Sequence, residues 1–99
     1  MPSHGREFVA ECYWPGVTEP DLERLDARVH DTLIGLGDGA AVHYLGSLLM
    51  REDEVVLCRF EGSEQAVRSV AERAAVPFER ILEAAASPWN GERPESGDE

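Results

Sequence analysis

Four polar side chains suited to a binding site are spread over the apolar segments of the sequence: Glu11, Tyr13, Tyr44 and Arg59. A carboxylate, two phenol hydroxyls and a guanidinium among apolar neighbours can orient a small ligand through a few directed hydrogen bonds. A carboxylate in such surroundings can also have a raised pKa and act as a base. Glu11 and Arg59 can equally neutralise each other at a subunit interface, which is the more common arrangement. We therefore treat the four residues as a candidate ligand site and keep the interface interpretation beside it.

His43, at the beginning of a predicted strand, is the one candidate metal ligand in the sequence. The three histidines show none of the HxH, HxxxH or HExxH spacings of metal sites. Cys12 and Cys58 lie far apart without a CxxC motif, so we expect two buried thiols in a reducing compartment. No nucleophile motif of a hydrolase is present, and we predict no catalytic residue.

Length and charge limit the classes of fold and partner. The 99 residues are enough for one small domain, and the net charge of −11 argues against non-specific binding to nucleic acid or anionic membranes. All nine basic residues are arginines, so no lysine is available for Schiff-base or P-loop chemistry. No apolar run approaches the ~18 residues of a membrane span, and residues 1–5 show no signal-peptide pattern, so we expect a cytoplasmic protein.

The elements that must position these residues follow from the hydrophobic pattern. Residues 7–14 alternate with a period of two, which is typical of a strand, and Thr18 is a good N-cap for the helix that follows. Residues 41–50 and 55–61 form a predicted hairpin, and Ser63 caps a second helix. Residues 78–86 are ambiguous, and we favour an edge strand over a helix.

The predicted order β-α-β-β-α-β indicates a ferredoxin-like α+β sandwich, with a four-stranded antiparallel sheet and both helices on one face. This domain covers residues 6–86. Residues 87–99 form an acidic tail without apolar periodicity, for which we predict disorder, and Trp89 is its only large apolar residue.

Both faces of the predicted hairpin are apolar, although the helices can cover only one of them. A turn centred on residues 52–53 predicts that three pairs of residues face each other across the hairpin, on the side towards the helices. These pairs are Leu49 with Val56, Ser47 with Cys58, and Leu45 with Phe60. An apolar face left in water is costly, so we expect a second copy of the chain to cover it, in a dimeric α/β-barrel-like pairing. The side chains expected on that face are Val9, Glu11, Tyr13, Val42, Tyr44, Leu48, Val55, Leu57 and Arg59.

Four short motifs resemble a small bacterial family of unknown function that is sometimes described as nickel-binding or nickel-responsive. The motifs are residues 11–18 (ECYWPGVT), 42–47 (VHYLGS), 57–61 (LCRFE) and 77–81 (PFERI). The resemblance spans residues 7–86 and implies a ferredoxin-like homodimer, some members of which hold a divalent metal. The metal-associated branch carries histidines in the second helix, where this chain has Ala71 and Ala75. The resemblance therefore implies a sister branch without that site.

These observations support three hypotheses of function. The first is a non-enzymatic homodimer that binds a small ligand or a metal, with nickel as the metal that the resemblance implies and no other cofactor. The second is a dimeric α+β-barrel enzyme, such as a cofactor-independent monooxygenase or an isomerase, using the cleft between helices and sheet. The predicted lining of that cleft is apolar, which counts against catalysis. The third is an interaction module whose acidic surface recruits a basic partner.

Overall fold

The structure is a computed structural model, which describes residues 6–85. The strands form one antiparallel sheet in the order β2-β3-β1-β4, and a 3-10 helix (Gly37–Ala40) precedes β2. This arrangement is an α+β ferredoxin-like fold, and it confirms the predicted order, including the edge strand after the second helix. The elements are β1 (Arg6–Tyr13), α1 (Glu19–Leu36), β2 (His43–Met50), β3 (Val55–Gly62), α2 (Glu64–Arg73) and β4 (Arg80–Ala84).

Both helices begin directly after the residues that the sequence marks as caps. The Thr18 side chain accepts a hydrogen bond from the backbone N–H of Asp21, and the Asp21 carboxylate accepts one from the backbone N–H of Thr18. This reciprocal pair satisfies N–H groups that the first turn of a helix leaves free. Ser63 Oγ accepts from the backbone N–H of Ala66 in the same way.

The core lies between the helices and one face of the sheet. Alternate residues of β1 and β3, among them Cys12 and Phe60, are fully buried there. Leu25 and Val29 of α1 and Val67 and Val70 of α2 pack onto them. Alternation in the strands and helical spacing in α1 and α2 thus bury one side of each element, as the sequence pattern predicts.

A β-bulge in β2 corrects the predicted hairpin register. Ser47 pairs with Cys58 and Leu49 with Val56, as predicted, but Phe60 pairs with Tyr44 and not with Leu45. The register shifts between Tyr44 and Gly46. The extra residue of such a bulge reverses the faces of the strand beyond it. Leu45 is therefore 38% exposed, and its predicted place in the core is wrong.

The far end of the predicted domain and its tail lie outside the described residues. This applies to residue 86 and to the predicted disordered segment 87–99, including Trp89. Among residues 6–85, no helix combines the length and the apolar character that crossing a membrane requires.

Candidate functional site

The sheet has one face that the helices leave uncovered, which we call the open face. The residues of this face alternate with the buried residues of each strand. The side chains of Val9 and Leu57 lie at its centre. Glu11, Tyr13 and Arg59 project from this face, as the alternation predicts. The open face consists of Glu7, Val9, Glu11, Tyr13, His43, Gly46, Leu48, Met50, Val55, Leu57, Arg59, Glu61, Arg80, Leu82 and Ala84.

Two ion pairs cross the open face, and neither is the predicted one. Arg59 Nε donates to Glu7 Oε2 at 3.0 Å, while Glu11 pairs with Arg80 on the neighbouring strand β4. The expected pair of Glu11 and Arg59 is therefore wrong. β1 lies between β3 and β4, so its two glutamates have an arginine available on each side. Strand alternation already places Glu7 on this face, and that signal could have identified the partner of Arg59.

Large apolar side chains are only half covered at one end of the open face. Tyr13 is 54% exposed, Leu48 49% and Met50 46%. The three residues belong to β1 and β2, the strands on either side of β3, and Val55 pairs with both Tyr13 and Met50. The open face therefore has an apolar end beside Val55 and a charged end beside Glu7 and Glu61.

Tyr44 lies on the other side of the sheet, under α1, because the bulge reverses its face. Its hydroxyl donates to Asp26 Oδ1 at 2.5 Å, and Ser47 Oγ donates to the same oxygen at 2.9 Å. The Tyr44 ring packs on Phe60, with 5.0 Å between the ring centroids. The prediction that Tyr44 joins Glu11, Tyr13 and Arg59 is thus wrong, as is the exposure predicted for Val42, which is 8% exposed.

Asp26, Tyr44 and Ser47 form a polar cluster between α1 and β2 that sequence reasoning missed. Burial raises the pKa of the Tyr44 phenol, and the neighbouring Cys58 and the Asp26 carboxylate raise it further. The neutral phenol is therefore a hydrogen-bond donor to Asp26 at all ordinary pH values. Nothing in the spacing of Asp26 sets it apart from the solvated acids of α1, and its role depends on the position of the bulge.

The two cysteines are free, and both are fully buried beneath the helices. Cys58 pairs with Ala10 and Cys12 with Val56, which places the thiols diagonally on adjacent strands. A hydrogen bond with Cys58 and burial together raise the pKa of the Cys12 thiol. The same hydrogen bond lowers the pKa of the Cys58 thiol, but Cys58 is fully buried and out of reach of solvent. Both thiols therefore pack as small apolar groups.

A metal-binding arrangement does not arise within residues 6–85. In that range no three side chains of histidine, cysteine, aspartate or glutamate come together as a ligand set. His43 is exposed and pairs with Glu61 across the hairpin. Ala71, one of the positions at which the metal-associated branch carries histidine, is fully buried in the core. Alanine also offers no ligand atom, so the described residues do not fit a resident nickel ion.

Comparison with known proteins supports the fold. No protein-family model matches the chain, and no curated protein matches it. The crystal structure of SCO4226 from Streptomyces coelicolor A3(2) is similar, with a TM-score of 0.66 and 23% sequence identity. The similarity covers 82% of this chain and 98% of that chain. Sequence identity this low shows a shared ferredoxin-like fold alone.

Proposed function

We propose that the chain is a homodimeric binding protein in which two copies pack their open faces together and hold a small organic molecule between them. The observation that carries the proposal is the half-exposed apolar end of the open face, formed by Tyr13, Leu48 and Met50. Apolar surface of this kind favours association because burying it releases about 25 cal/mol for each Å² removed from water.

The size of the open face suits a second copy of the chain. Three strands of eight residues and one of five, spaced about 4.8 Å apart, cover roughly 450 Å² of flat sheet. Packing two such faces buries about 1,000 Å² in total, which is near the lower limit for a specific interface. A twofold arrangement also uses the same face on both copies, as homodimers commonly do.

The charge distribution also allows two open faces to meet. The chain has a net charge of −11, but its open face carries three glutamates against two arginines. Glu7 and Glu11 are each neutralised by an arginine of the same chain. Burial of the face therefore leaves neither carboxylate without a partner. An unpaired charge removed from water would be costly.

The chemistry of the open face points to an anionic ligand with an apolar body. Arg59 uses its Nε–H for Glu7, and a guanidinium has four further N–H donors that can bind a carboxylate, sulfonate or phosphate. The neighbouring Val9 and Leu57 provide apolar contact for the rest of the molecule. Apolar walls with a few polar groups are the usual character of a small-molecule site.

The proposed role is binding and not catalysis, because the glutamates nearest the centre of the open face already serve as ion-pair partners. A metal-binding role has no ligand set within residues 6–85 to support it. We therefore propose an organic ligand and test the binding of nickel in a separate experiment.

The dye 8-anilinonaphthalene-1-sulfonate is a suitable probe, because it combines an anionic group with an apolar body. We expect its fluorescence to rise on binding to the wild-type dimer and expect Arg59→Gln to weaken binding several-fold. Arg73→Gln is the matched control, since Arg73 is exposed on α2 and away from the open face. Equal binding by both variants would contradict the proposed site. Heat on calorimetric titration with Ni²⁺ would instead favour the metal-binding role.

A further inference from the structure

A groove opens between the two helices, on the side of the sheet opposite the open face. Its volume is about 420 Å³, which lies in the range of sites that hold a small molecule. The groove is lined by Leu36 and Gly39, at and just after the end of α1, and by Ala66, Ser69 and Val70 of α2. It is separate from the proposed ligand site, because the sheet lies between the two.

The groove is open because small residues line it at the end where the two helices lack a direct polar link. At the other end, Arg28 of α1 donates to the carbonyl oxygens of Ala74 and Ala75, just after α2, at 3.0 and 3.1 Å. Beside the groove, Gly39 and Ala66 contribute at most a methyl group. Apart from its chain neighbours, no described atom lies within 4 Å of the position of a side-chain carbon on Gly39. The space is therefore unfilled.

The lining of the groove disfavours a charged ligand. Among the described residues that line it none is charged, whereas the whole chain has a net charge of −11. A charged ligand would lose water in the groove without gaining a counter-charge from these residues. An anion would in addition be repelled by the acidic chain. The ligand that fits this lining is therefore neutral.

Ser69 gives the groove one free polar group. Its hydroxyl makes no hydrogen bond with another described residue, whereas the Thr32 hydroxyl on α1 donates to the backbone carbonyl of Arg28. A hydroxyl can both donate and accept, so Ser69 can bind one polar atom of a ligand. Leu36 and Val70 provide apolar contact for the rest of the molecule.

The size of the groove favours a small molecule over a protein partner. About one turn of α2 and the end of α1 form it, whereas a specific protein interface takes about 20–30 residues from each partner. We propose that this groove binds a compact, neutral, largely apolar molecule with one hydrogen-bonding group, the class to which phenols and aromatic amines belong. The inference does not depend on the proposed dimer.

The dye N-phenyl-1-naphthylamine tests the proposal, because it is uncharged, apolar and has one N–H group. We expect its fluorescence to rise in a saturable way on binding to the wild-type protein. Gly39→Leu places a side chain in the groove, and we expect it to weaken binding several-fold. Gly35→Leu is the matched control, because Gly35 has equally open surroundings and does not line the groove. Neither glycine has a positive φ, so neither change strains the backbone.

Three further variants locate the dye. Ala66→Leu fills the groove from the other helix and should weaken binding as Gly39→Leu does, and Ser69→Ala should weaken binding through loss of the hydroxyl. Leu48→Arg, on the open face, should leave binding unchanged. Loss of binding in Leu48→Arg would assign the dye to the open face and would overturn the proposal. No binding by the folded wild type, or equal binding by both leucine variants of the groove and Gly35→Leu, would overturn it as well.

Discussion

The Tyr44 hydroxyl donates a 2.5 Å hydrogen bond to the carboxylate of Asp26, and this bond joins the edge strand β2 to α1. The same carboxylate oxygen also accepts from Ser47. One acid on the helix thus holds two residues of β2 that lie on either side of the bulge. The contact fixes Tyr44 on the helix-facing side of the sheet, and it explains how an edge strand with one irregular residue keeps its place.

Tyr44 should resist deprotonation until the protein unfolds. Burial raises its pKa above the ordinary value of 10.0, so the neutral phenol stabilises the folded state. That stabilisation is fully present below the ordinary pKa and is lost as the pH rises through the higher pKa of the folded protein. In a spectrophotometric titration, we expect Tyr44 to ionise only together with unfolding.

The Tyr44→Phe variant provides the control for this titration. It removes the hydroxyl that donates to Asp26, and we expect it to lower the free energy of unfolding by about 1–3 kcal/mol at neutral pH. We also expect its alkaline absorbance change to fit one tyrosine. Ionisation of Tyr44 near its ordinary pKa of 10.0 in the folded wild type, seen as an absorbance change that Tyr44→Phe lacks, would show that Tyr44 is not held as described.

Gly46 of β2 should not tolerate replacement by a residue with a side chain. Its φ is +109°, which L residues rarely adopt, although no atom lies within 4 Å of the position of a side-chain carbon. We expect Gly46→Ala to lower the free energy of unfolding by about 1–3 kcal/mol through backbone strain alone.

Gly35→Ala is the matched control for this change. Gly35 lies in α1, where its surroundings are equally open and no positive φ is required. An alanine there should raise the free energy of unfolding by about 0.5–1 kcal/mol, because glycine is a poor helix former. Urea denaturation of both variants at equal protein concentration provides the comparison, and equal effects would contradict the strained bulge.

The thiols of the two cysteines should be unreactive in the native protein. Both are fully buried, and the hydrogen bond with Cys58 together with burial raises the pKa of Cys12. We expect a disulfide-exchange reagent to react with neither thiol in buffer and with both in denaturant. Rapid reaction of one thiol under native conditions would mean that the space beneath the helices is open.

Leu48 should control association of the chain. It is 49% exposed on the open face, so Leu48→Arg would place a charge in the proposed interface, and we expect the variant to be a monomer. Ile34 is 65% exposed on α1 and away from that face, which makes Ile34→Arg a control with the same chemistry. Light scattering should give a lower mass for the first variant alone, and equal masses would remove Leu48 from the interface.

The sequence predicts the fold well because each element carries a signal of its own. The alternation in residues 7–14 and the caps Thr18 and Ser63 are local features, and the structure confirms all three. The two faces of β1 and β3 also follow from alternation without knowledge of any partner. Local patterns therefore account for the order of the elements and for the side of the sheet that faces the helices.

The candidate site is predicted less well, because it depends on relationships between strands. One bulge residue in β2 moved Tyr44 from the open face to the cleft beneath α1, and the sequence of β2 contains no clear signal of it beyond Gly46. The incorrect prediction that Arg59 pairs with Glu11 has a different cause. Both Glu7 and Glu11 lie on the correct face, and the choice between them depends on the reach of the side chains and on the presence of Arg80.

The central claim is that two open faces cover each other, and sedimentation equilibrium of the wild-type protein tests it most directly. The account predicts a mass of about twice the 10.9 kDa of one chain at micromolar concentrations, with dissociation on dilution. A mass of one chain throughout the same range, with the protein folded and soluble, would contradict it.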